Sequence, residues 1–208
     1  MVRVVITGAG TICSIANRYD EVGPSMKKCV HGIGPVTLFP ANTGHPVAEV
    51  KHLEAPDKKR FRTSLLAEKA MEDALSKTGA LGNRTGVSFS TCTMGMLEME
   101  QSFIALKNGH GSDLSFAKSL SAGSIANEIS CRYGFSGPVA SFSTACSSSA
   151  NALACAFFWI RQGMCDAVVA GGSDSLCRLT YYGFQSLKVM SDTPCTPFDV
   201  NRKGMNIG

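Results

Sequence analysis

GPVASFSTACSSSANALACAFFWIRQGMCDAVVAGGSDS, residues 137–175, reads as a strand, an abrupt turn, an apolar helix and a second strand. Val139, Phe142 and the small residues between them predict a short, largely buried strand entered through Gly137 and Pro138. From Ser147 to Arg161 there is almost no polar face, and Gly163 follows, the pattern of a buried helix with a glycine stop. Cys146 falls at the turn. A thiol at a strand-to-helix junction lies near unpaired backbone N–H groups whose partial positive charge favours thiolate over thiol. The same N–H groups suit an oxyanion on an attacked thioester, and Ala145 and Ser147 to Ser149 leave room for a substrate. The residues alone leave a second reading open, a small packing cysteine without chemistry. Cys155, nine residues on, lies on the opposite side of the helix and reads as core.

Length and composition set limits around this stretch. At 208 residues one domain of ordinary size is expected, and 44% hydrophobic against 17% charged residues can supply a sizeable core and excludes disorder. A net charge of +4 makes no electrostatic case for nucleic acid as a partner. The nine cysteines have no CxxC pair, since the closest two are Cys146 and Cys155, so neither a zinc ribbon nor a redox motif is expected, and no metal. An odd count and no positive-then-apolar leader predict reduced thiols in a cytoplasmic protein. The apolar run before Arg161 is too short, and too rich in serine and alanine, for a membrane span.

Along the chain, residues 2–6 (VRVVI) read as a buried strand followed by the sharp turn TGAGTICS. Gly8-x-Gly10-x-x-Cys13 is an incomplete dinucleotide fingerprint: Cys13 replaces the third glycine, and no acidic residue ends a second strand about twenty residues later. Pro24, Pro35, Pro40, Pro46 and Pro56 break up the region to residue 56. His31, His45, His52 and His110 lack HxxxH or HExxH spacing and read as loop residues. Lys58, Lys59, Arg60 and Arg62 form a basic run before a helix marked by Leu65, Leu66, Ala70, Met71 and Leu75 and stopped at Gly79. Residues 84–91 read as a strand, and Met96, Met99, Phe103 and Leu106 as the core-facing side of a helix ended by Gly109. Ile125 and Ile129 mark a further short helix. Asp166 to Ala170 is a second apolar strand, with Gly171-Gly172 permitting close backbone approach at its end. Alternating strands and helices imply an α/β fold with a mainly parallel sheet.

STACSSS (143–149), DAVVAGGSDS (166–175) and PFDVNRKGMNIG (197–208), with the opening VVITGAGTICS and SIANEISCRYGFSGP before the cysteine, resemble in order and spacing the β-ketoacyl synthases of fatty acid and polyketide synthesis. The resemblance implies the first half of a thiolase-like, layered αβαβα architecture with a mainly parallel mixed sheet, residues 1–208 forming a truncated N-terminal domain without the second half. It implies that Cys146 accepts an acyl group as a thioester for decarboxylative condensation with a malonyl unit, with no cofactor. It places Phe184 against the acyl pocket, Lys58, Lys59, Arg62 and Lys188 at a docking face for acyl carrier protein, and the chain in a homodimer. Phe184 reads equally as a packed core aromatic, and the basic run as a solvated face. Two histidines and a lysine that act on the malonyl unit belong to the family's second half, and none of the four histidines here matches them, so these residues alone are expected not to condense. Lys203 and Met205 stand where acidic and phenylalanine residues are usual. The alternative readings are a non-catalytic dimerisation module or another thiolase-fold enzyme acting on coenzyme A thioesters.

Overall fold

Thr85–Ser90 forms the central strand of the main sheet, and its sequence TGVSFS explains how both of its faces are covered. Side chains alternate between faces of a strand. Val87 and Phe89 point one way, into a cluster with Ala67, Met71, Ile125, Ala126 and Ile129. Ser88 and Ser90 face the other way, where small side chains let a helix come close: Ser88 Oγ donates to the Ala152 carbonyl at 2.7 Å, and Ser90 Oγ lies 3.0 Å from Ser149 Oγ. Covered on both faces, every residue of the strand is buried.

The computed structural model describes residues 2–51, 53, 60–111, 121 and 123–208. In chain order these form α1 (Tyr19–Lys27), β1 (Ile33–Gly34), β2 (Val47–Ala48), α2 (Arg62–Leu75), β3 (Thr85–Ser90), α3 (Met96–Lys107), α4 (Ser124–Tyr133), β4 (Val139–Phe142), α5 (Ser148–Arg161), β5 (Ala167–Gly172) and α6 (Arg178–Ser186). The main sheet has order β4-β3-β5 with both pairings parallel, and β1-β2 is a separate antiparallel ribbon. Helices α2 and α4 cover one face and α5 the other. A second cluster, Phe39, Val47, Leu97, Leu176, Cys177, Tyr181, Met190 and Ile207, ties α3 and α6 to the irregular region and the C-terminal segment.

The periodic expectations for α2 and α4 hold: Leu65, Leu66, Met71, Ile125 and Ile129 are buried, and Gly134, at φ +66°, gives α4 a left-handed C-terminal cap. The close approach expected at Gly172 is also present, since a Cβ there would lie 2.1 Å from Ser90 Oγ and 2.7 Å from Ser149 Oγ. At the opening turn, Gly8 and Gly10 abut the backbone of α2. A Cβ on Gly10 would sit 1.9 Å from the Ala70 carbonyl oxygen, so these glycines serve helix packing.

Five expectations are corrected. Residues 2–6 form no strand, and Val2, Val5 and Ile6 are exposed, Ile6 at 87%: nothing in the described chain pairs with them. β4 is an edge strand, so Val139 is exposed and the rest only half-buried. α5 is not buried all round. Its buried side chains are the small Ser148, Ala152 and Ala156, while Leu153 and Phe158, each 55% exposed, and Phe157 point outward. The methionine stripe of α3 divides: Met96 packs against the second cluster, whereas Met99, Phe103 and Leu106 are exposed and Leu97 is the buried residue. In both helices the narrow side packs inward and the broad apolar side lies open. Pro24, expected to break structure, sits inside α1.

Candidate functional site

Chain order around Cys146 places it at the C-terminal end of the parallel sheet, where α/β folds carry their sites. β4 ends at Phe142, residues Ala145–Ser147 make one 3-10 turn, and α5 starts at Ser148. The expected junction is therefore present, with the thiol one short turn before the helix rather than inside it. Ala145 takes φ +53°, a left-handed conformation that costs an L-residue other than glycine about 1–2 kcal/mol. A sharp, strained strand-to-helix turn of this kind lifts the residue that follows away from the sheet. Cys146 is exposed, as are Ala145 and Ser147.

Local polar side chains hold the turn. Ser148 Oγ accepts from the Thr144 N–H at 2.7 Å and donates to the Ala145 carbonyl at 2.7 Å. Ser147 Oγ donates to the Thr144 carbonyl at 2.8 Å, and Asn151 Nδ2 reaches back seven residues to Thr144 Oγ1 at 2.8 Å. The run of serines is thus partly structural: its hydroxyls bond to the backbone of Thr144 and Ala145 and tie the turn together.

The other cysteines supply the contrast. All nine are unpaired. Burial pushes the Cys165 thiol up, and burial does the same to Cys177 against opposing hydrogen bonds from Thr180, so both are poor nucleophiles. Cys155 is half-buried on α5. Among the described residues no group of three or more His, Cys, Asp or Glu side chains is placed to hold a metal. His31 and His110 are exposed, whereas His45 is not a free loop residue: its Nδ1 lies 2.8 Å from Asp192 Oδ1. His52 lies outside the described residues.

The remaining candidates are spread out. Lys58 and Lys59 lie outside the described residues. Arg62 opens α2, but its guanidinium donates to the Val50 carbonyl and its backbone N–H to Glu98 Oε1 at 2.8 Å. Burial lowers its pKa, against the fields of Glu49 and Glu98. Arg60 is engaged by Glu68 and Glu128. Lys188 is exposed, at φ +58° just past α6. Phe184, on α6, packs against the cluster around Tyr181 and Met190. Met205 donates its N–H to the Val189 carbonyl at 2.9 Å and bridges to Met190.

Sequence reasoning overlooked Asp174 and Cys92. Asp174, just beyond β5, accepts at Oδ1 from Cys92 N–H and Thr93 N–H, both at 2.7 Å, and from the Thr91 and Thr93 hydroxyls, both at 3.0 Å. This hub organises the loop after β3. Its partners lie more than eighty residues away in sequence, so no local pattern announces it.

Comparison with known proteins gives a consistent picture. A family model described as β-ketoacyl synthase, N-terminal domain, matches residues 61–208. Nodulation protein E of a Rhizobium species is 30% identical over 223 residues, covering 99% of this chain and 55% of its own length. The 3-oxoacyl-[acyl-carrier-protein] synthase 2 of a Synechocystis species is 28% identical over 229 residues, with coverage of 99% and 55%. Among solved structures, a ketosynthase from Xenorhabdus doucetiae in complex with its chain length factor superposes with a TM-score of 0.81 at 25% identity, covering 97% of this chain and 54% of that one. The α/β fold with a parallel sheet is that of the thiolase-like ketosynthases, and the chain spans about half the length of the relatives it matches.

Proposed function

Because the chain belongs to the β-ketoacyl synthase N-terminal domain family, we propose that its Cys146 is the acyl-accepting nucleophile of a 3-oxoacyl-carrier-protein synthase. The observation that carries this reading is the exposed thiol on a strained turn between β4 and α5. The Cys146 sulfur attacks the carbonyl carbon of an acyl thioester, and the Cys146 backbone N–H takes up the negative charge on oxygen. Collapse of the tetrahedral intermediate expels the carrier's thiolate and leaves the acyl group on Cys146. Splitting the reaction in this way turns one hard condensation into two easier steps. In the second step a malonyl thioester loses carbon dioxide, and its enolate carbon attacks the acyl-Cys146 carbonyl, returning the sulfur as thiolate.

Residues 1–208 supply the first step. The decarboxylating histidines and lysine that the resemblance assigns to a second half have no counterpart among them, so condensation is not expected from these residues alone. Acyl carrier protein is the proposed donor, in line with the name of the Synechocystis relative. Exposed Lys188 is the described residue best suited to meet its acidic surface, together with Lys58 and Lys59. Arg62, committed to Val50 and Glu98, contributes less than its position in the sequence suggests. The half-buried Phe184 is proposed as a wall of the acyl pocket. A homodimer in a reducing cytoplasm completes the reading, consistent with nine unpaired cysteines.

Incubation with an acyl-carrier-protein thioester followed by peptide mass mapping tests it. The acyl mass is expected on Cys146 and is lost in C146A. An acyl mass absent from Cys146, or retained elsewhere in C146A, contradicts the assignment and leaves the non-catalytic module.

A further inference from the structure

Three loops follow the three parallel strands, and their polar groups converge on the turn that carries Cys146. After β5, Asp174 Oδ1 accepts four hydrogen bonds from the loop after β3, two of them from the backbone at Cys92 and Thr93. That grip leaves the Cys92 side chain against the loop after β4. Its Sγ lies 3.5 Å from the Ala145 carbonyl oxygen and 3.3 Å from Ser148 Oγ. The Ala145 carbonyl also accepts from the Ser148 N–H and the Ser148 hydroxyl, so three donors meet at the oxygen of the one left-handed residue in the turn.

Ser148 spends its single hydroxyl proton on Ala145 and receives the Thr144 N–H. The Cys92 S–H is therefore the donor that this cluster still has available, directed at the Ala145 carbonyl or Ser148 Oγ. The carbonyl belongs to the peptide whose nitrogen is that of Cys146. Whatever fixes its direction fixes the whole peptide plane, and with it the Cys146 N–H and the Cα from which the Cys146 side chain springs, because the peptide is planar.

We propose that Cys92, held by Asp174, is a positioning residue for Cys146: its thiol anchors the Ala145 carbonyl and keeps the strained turn in the one conformation that presents the nucleophile. This rests on the reading of Cys146 as a nucleophile. Its role is to act through the turn, not to accept the acyl group itself.

The test is peptide-resolved iodoacetamide labelling of the whole chain and its C92A, C92S and D174A variants, with exposed Cys29 as the internal reference. C92A and D174A are expected to slow Cys146 by about threefold to tenfold, the equivalent of one net hydrogen bond, with C92S returning the rate to within about twofold of wild type. Labelling of Cys29 stays unchanged in all four proteins. A Cys146 rate in C92A equal to or above wild type, or no recovery in C92S, overturns the proposal. Should D174A fail to fold by circular dichroism, the C92A and C92S pair decides. Acyl transfer to wild-type Cys146 with no effect of C92A on its labelling would defeat the positioning role alone. Slowed labelling in C92A without acyl transfer to wild-type Cys146 would defeat the acyl reading alone.

Discussion

Ala145 is the residue on which the site depends, because it pays a conformational cost to aim its neighbour. Its φ of +53° is natural to glycine and strained for alanine. A145G is therefore expected to stabilise the chain by about 1 kcal/mol in urea unfolding, by removing the Cβ penalty. An unchanged or lower midpoint would mean that the surrounding hydrogen bonds already compensate the strain. Alanine at such a point leaves the turn stiffer than glycine would.

At the scale of elements, two contacts fix how the chain packs on its sheet. Asp73 on α2 is buried and gathers the N-terminal segment: it accepts from the Tyr19 N–H at 2.7 Å and the Thr11 N–H at 3.4 Å and pairs with Lys77 and Arg18. Burial opposes its charge, but the Tyr19 N–H and Lys77, with Thr11, outweigh burial and hold the carboxyl below the usual carboxylate range. A depressed folded value means that this stabilisation is fully present above the unfolded pKa of about 3.9 and is lost as pH falls through the folded value. D73N should cost about 2 kcal/mol at neutral pH, from charge-assisted hydrogen bonds weakened, and the gap to wild type should close below about pH 4. Chemical unfolding across pH checks it, and a gap independent of pH would contradict it. The second contact is Gly172, whose missing Cβ admits Ser90 and Ser149. G172A is expected to lose about 1–3 kcal/mol by overpacking, read as a lower thermal midpoint.

Across the whole molecule, what could be read in advance was what the local pattern contains. Leu65, Met71, Ile125 and Ile129 repeat at helical spacing and were found where that spacing puts them, and the strand–turn–helix around Cys146 was legible because glycine, proline and a block of small residues bound it. Apolar character shows what a segment tends to bury without showing where its cover lies. That is why Val2, Ile6, Phe103, Leu153 and Phe158 were expected inside and are found outside. The Asp174 hub was illegible for the opposite reason, because its partners come from a strand end 81 to 83 residues away. The loops after β3, β4 and β5 come together only once the three strands are in register, so the site is a property of the sheet as a whole.

The direct measurement is the rate of iodoacetamide labelling at each of the nine cysteines of the native chain, resolved by peptide mass mapping. Cys146 is predicted to label fastest, ahead of the exposed Cys29, Cys92 and Cys131, with buried Cys165 and Cys177 last. A Cys146 no faster than Cys29 or Cys131 would contradict the claim that the turn between β4 and α5 makes it the reactive thiol.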